Sequence, residues 1–144
     1  MDTLKDTAQN NFHNGMNCAQ AVVTVFSEKY GMSKDLALRL AGGFGGGCRT
    51  GELCGAVSGA IMVIGLKHGP STPSDAEAKA ICGAQTKNFI DRFKERNHSV
   101  TCRELLGCEP VQRDLLPAEQ QAELKEVCTD LVSGAVELLE QMDY

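Results

Sequence analysis

Tryptophan is absent from the 144 residues, and only two tyrosines and five phenylalanines are present. A core built from this chain must rest on aliphatic side chains, alanine, methionine and cysteine. No apolar run is long enough to span a bilayer. The longest, residues 56–66, contains Ser58, Gly59 and Gly65. No block of basic residues stands out. Fourteen Lys and Arg face nineteen Asp and Glu, a net charge of -5, so the electrostatic footprint of a nucleic-acid binder is missing. Lys87, Arg92, Lys94 and Arg96 come nearest to a patch, but Asp91 and Glu95 interleave them, which reads as a solvated helix face. Residues 1–11 are polar, without the apolar segment of a secretory signal, so a cytoplasmic setting with reduced thiols is expected. Strand-like alternation, internal repeats and linkers are also absent.

What is present is helical periodicity. The expected fold is all-α, a single domain over residues 1–144. It is a bundle of about five to seven helices around an apolar central helix, with a Gly-rich loop before it. A short helix over residues 3–13 breaks at Asn14-Gly15. Asn17 caps a second helix to about Tyr30, and Ser33 a third over residues 34–40. Six glycines in the ten residues 42–51 exclude a stable helix interior there. The central helix is placed from about Glu52 to His68, with a small-residue face for close neighbours. A fifth helix follows Ser74, running over residues 75–96, and a short sixth follows Thr101, over residues 102–106. A last helix over residues 117–142 carries the seam Leu124, Cys128, Leu131, Ala135, Leu138 and Met142.

Seven cysteines stand at 18, 48, 54, 82, 102, 108 and 128. None forms a C-x-x-C pair, which excludes the thioredoxin dithiol, zinc-finger and ferredoxin spacings. Any dithiol or metal site must be assembled by the fold. Cys18, Cys54 and Cys102 fall at expected helix N-termini, where unpaired N–H groups and the helix dipole favour thiolate. By that criterion Cys54 is the best candidate for an attacking thiolate. Cys82 and Cys128 suit core positions, because free cysteine packs as a small hydrophobe. The glycine segment is neither a P-loop nor a dinucleotide fingerprint. It can bring backbone close to a cluster, a disulfide or an anion, and Gly47, Gly51 and Gly55 are the candidate positions for such an approach. His13, His68 and His98 have no partners at metal-site spacing.

The chain resembles the C_GCAxxG_C_C family of redox-active proteins. The resemblance rests on the block Gly51-Glu52-Leu53-Cys54-Gly55-Ala56-Val57-Ser58-Gly59-Ala60, although this chain reads Cys-Gly-Ala where the family label reads Gly-Cys-Ala. Asn17-Cys18-Ala19-Gln20-Ala21-Val22 is similar to the family's first cysteine block, and Cys102-Arg103-Glu104-Leu105-Leu106-Gly107 to its third. Cys128 falls where the fourth cysteine is expected. The resemblance implies a redox site of Cys18, Cys54, Cys102 and Cys128, with Cys48, Cys82 and Cys108 as extras. Two chemistries fit it equally: a reversible dithiol, or four thiolates on an iron–sulfur cluster. It also implies a redox partner. The competing expectations are a structural zinc site of the same thiolates, and a non-catalytic binding or homo-oligomerisation module whose cysteines are packing.

Overall fold

Local capping chemistry sets most of the helix boundaries. The structure, a computed structural model, describes residues 2–144. Helix α1 (Leu4–His13) opens on Thr3, which exchanges side-chain-to-backbone hydrogen bonds with Asp6. Helix α2 (Cys18–Phe26) opens on Asn17, which does the same with Gln20. Each box satisfies two backbone N–H groups at the helix entrance. Ser33 caps α3 (Lys34–Leu40). Helix α4 spans Gly55–His68. Helix α5 (Ala76–Asn97) is capped by Asp75, one residue past the expected Ser74. Helix α6 (Cys102–Leu106) ends at Gly107, whose φ of 72° is left-handed. Helix α7 is the single turn Pro110–Arg113, and α8 runs over Ala118–Gln141. The fold is all-helical, as expected. The eight α-helices among the described residues exceed the expected number by α7, which Glu109 and Gln112 close with a reciprocal box around Pro110.

Helix α4 is central. It packs against α2, α5 and α8, while α1 lies on α8 and α2. Residues 55–60, Val63 and Ile64 of α4 are buried. They meet Val22, Phe26, Phe89, Phe93, Val132 and Leu139 from the surrounding helices in one core. The α2–α4 approach is backbone-close. A Cβ on Gly59 would stand 2.6 Å from the Ala19 carbonyl oxygen, and one on Gly55 would stand 3.0 Å from the Cys18 Cβ. Glu137 ties the outer helices together by pairing with Lys5 of α1 at 2.6 Å and Arg96 of α5 at 2.9 Å. No described helix is long and apolar enough to cross a membrane.

Two local results differ from the sequence expectation, and both position cysteines. Helix α4 starts at Gly55 rather than Glu52, so Cys54 is its N-cap residue. Residues 52–54 are instead drawn out against residues 100–102. Leu53 bridges Thr101 in antiparallel fashion, the Cys54 N–H donates to the Val100 carbonyl at 2.7 Å, and the Cys102 N–H donates to that of Glu52 at 2.6 Å. The glycine segment is also more regular than a wide turn. Gly46, Gly47, Cys48 and Arg49 are consecutive residues with φ of 62°, 61°, 59° and 65°, which makes one left-handed turn. For Cys48 and Arg49 that conformation costs about 1–2 kcal/mol each.

Candidate cysteine site

The backbone pairing just described sets Cys54 opposite Val100 and Cys102 opposite Glu52, so the two cysteines lie diagonally across the Leu53–Thr101 bridge. Helix α2 brings Cys18 to the start of α4, where Gly55 lets the Cys18 Cβ come close. Helix α8 supplies Cys128 from its buried face. Cys54, Cys102 and Cys128 are buried, and Cys18 is half-buried. All seven thiols are free.

The four thiols perturb one another's ionisation. Cys18 and Cys128 exert the largest influence on each other's ionisation. It drives them apart. Cys18 keeps its proton and is pushed well above the ordinary thiol value by Cys128, by burial, and by the charges of Cys54 and Cys102. Cys128 is lowered, first by Cys18 and then by the positive charge of Arg113, against its burial. Cys102 is raised, mainly by burial and by Cys128, with Arg113 and Arg103 opposing. Cys54 is pushed up to about 12. Its helix-cap position does provide the expected donors, the N–H groups of Ala56 and Val57, but burial outweighs them. Cys54 is therefore not the readiest thiolate expected from its place in the sequence. Cys128 is the cysteine shifted in that direction.

Cys18 and Cys128 line one cavity of about 320 Å³ with Phe12, Met16, Arg113, Gln121 and Lys125 among its walls. Arg113 belongs to α7, the turn that periodicity does not reveal. Pro110 following Glu109, with Gln112 at the third helical position, is the signal that could have found it. The guanidinium of Arg113 lies over the left-handed turn, with Nη2 3.8 Å from where a Gly46 Cβ would stand.

The candidate glycines are each pressed against the chain itself. A Cβ on Gly47 would stand 2.8 Å from the Cys102 Cβ, and one on Gly51 3.0 Å from a Glu109 carboxylate oxygen. Gly55 meets Cys18. The approach they permit is between protein segments that carry or support cysteines. Arg103 clamps the same region, pairing with Glu52 and, at 3.0 Å, with Glu109. The three remaining cysteines lie apart from the cavity. Cys48 is exposed on the left-handed turn, Cys82 lies half-buried on α5, and Cys108 lines a second cavity with Leu106, Leu116 and Leu124. Among the described residues, no group of three or more His, Cys, Asp or Glu is arranged to hold a metal ion.

No curated protein and no solved structure matches the chain. The family described as "Putative redox-active protein (C_GCAxxG_C_C)" matches residues 16–142. That match covers nearly the whole chain and takes in all four converging cysteines, so the chain belongs to the C_GCAxxG_C_C family.

Proposed function

We propose that the protein performs thiol–disulfide redox chemistry, with Cys18 and Cys128 as the reacting pair. One observation carries this reading: two thiols 110 positions apart in sequence line the wall of one cavity, where each shifts the other's ionisation. Cys128 is the nucleophile, because thiolate is the attacking species and Cys18 and Arg113 both favour it there. Cys18 holds a proton and is the resolving thiol. Starting from one thiolate and one thiol, oxidation removes two electrons and one proton from the pair and forms one sulfur–sulfur bond, while the oxidant accepts the electrons. Cys54 and Cys102 are buried and hold their protons, so they are not assigned as attacking thiols.

Equilibrating the protein with a mild disulfide oxidant tests this. The wild type is expected to lose two thiols and form an internal bond. Cys18→Ser is expected to stop at a mixed disulfide on Cys128, and Cys128→Ser to react slowly if at all. Equal oxidation of both variants and the wild type overturns the assignment.

A second reading is supported by the donor set. Four cysteine sulfurs from α2, α4, α6 and α8 are the ligands an iron–sulfur cluster uses. As they stand, the residues do not form a group arranged to hold a metal ion, so no step is assigned to a cluster. Iron and sulfide analysis after anaerobic reconstitution separates the two readings, and a fixed stoichiometry lost together in the four single Cys→Ser variants favours the cluster.

A further inference from the structure

The cavity over Cys18 and Cys128 has chemistry that the reaction of two thiols does not need. Two of its wall residues are cations, Arg113 and Lys125. Neither makes an ion pair among the described residues, whereas Lys5, Arg96 and Arg103 are each held by carboxylates. Asp114 is the one acidic residue in the wall, so the lining is net positive before Cys128 ionises. This occurs in a molecule whose overall charge is -5. The volume, about 320 Å³, sits at the lower end of small-molecule sites, roughly 300–1,000 Å³. Phe12 and Met16 supply an apolar wall beside the cations.

We propose that this cavity binds a small disulfide that carries a carboxylate, received by Arg113 and Lys125 so that one sulfur faces Cys128. The inference rests on the reacting pair proposed above and adds the class of substrate. A peroxide or another uncharged oxidant would leave both cations unused. The steps balance. The Cys128 sulfur attacks one sulfur of R–S–S–R, forming a mixed disulfide and expelling one thiolate, which takes the Cys18 proton. The Cys18 sulfur then attacks Cys128, forming the internal disulfide and expelling the second thiolate, which is protonated by solvent. One small disulfide is reduced to two thiols, and the protein pair is oxidised.

The test uses three dialkyl disulfides of similar size as probes: 3,3'-dithiodipropionate (anionic), bis(2-hydroxyethyl) disulfide (neutral) and cystamine (cationic). Second-order rates of mixed-disulfide formation on Cys128 are followed by mass spectrometry. The anionic probe is expected to react about tenfold faster than the neutral one at low salt, a factor set by one or two charge-assisted hydrogen bonds. The cationic probe is expected to be slowest. The overall negative charge of the protein predicts the reverse order for a reagent guided by the whole molecule, so a preference for the anion reports the cavity wall. In Arg113→Gln and Lys125→Gln the ratio of anionic to neutral rates is expected to fall severalfold, and in Arg113→Lys it is expected to fall less. Equal rates for the three probes in the wild type, with Cys128 still reacting, overturn the substrate class and leave the thiol pair standing. No reaction of Cys128 with any probe overturns the pair as well.

Discussion

Ionisation divides the four converging cysteines into two kinds. Cys128 is the thiol whose proton is most easily lost, and Cys54 is held protonated up to about 12 by burial. Each makes a prediction. Site-resolved alkylation across pH is expected to give Cys128 a midpoint below the ordinary thiol range, near 8.5. It is expected to move up in Arg113→Gln, because that charge favours the thiolate. A midpoint in Arg113→Gln equal to the wild type's contradicts the role given to Arg113. Cys54 affects stability. Its folded value lies above its unfolded one, so the folded state holds a proton that the unfolded chain loses as pH rises past the ordinary thiol value. Stability from this group is fully present below that point and declines toward pH 12. The slope from one proton is about 1.4 kcal/mol per pH unit. Denaturant unfolding between pH 8 and 10.5 is expected to show a shallower decline in Cys54→Ala than in the wild type, and equal slopes contradict the burial argument.

The elements that carry the site are held by close backbone approach more than by large side chains. Gly59 shows this most directly. Alanine is the better helix former by about 1 kcal/mol, so on propensity alone Gly59→Ala would stabilise α4. The added Cβ would stand 2.6 Å from the Ala19 carbonyl oxygen, and backbone cannot move aside cheaply. A net loss of about 1–3 kcal/mol is expected in chemical denaturation, with Cys18 displaced from α4. An unchanged midpoint would mean that α2 and α4 are not in backbone contact. At this scale much was legible in the sequence. Asn17 and Ser33 announce their helices through their side-chain acceptors, and the small-residue face of α4 announces a close neighbour. The start of α4 was not legible, because residues 52–54 are committed to a backbone pairing with residues 100–102. Nothing local to either segment encodes that pairing. The left-handed turn at residues 46–49 was hidden for a related reason. Glycines permit it, but Cys48 and Arg49 are held there by their surroundings, against their own preference.

Across the whole molecule, the candidate site is a product of topology. Helices α2 and α8, near opposite ends of the chain, meet so that a seam residue of one faces the first residue of the other. Periodicity marks Cys128 as inward-facing. It does not say whether that face meets leucine or a second thiol, and here Cys128 shares a cavity wall with Cys18. The family was readable from its cysteine blocks, and its match spans residues 16–142. The division of labour among the four cysteines, and the part played by Arg113, were not, because both depend on burial and on a one-turn helix between α6 and α8. The most direct measurement is non-reducing peptide mapping after stoichiometric oxidation. A disulfide joining the peptides of Cys18 and Cys128, formed ahead of every other pair and reversed by a dithiol, is the result this account predicts. A first-formed bond that omits either cysteine, or no internal bond at all, contradicts it.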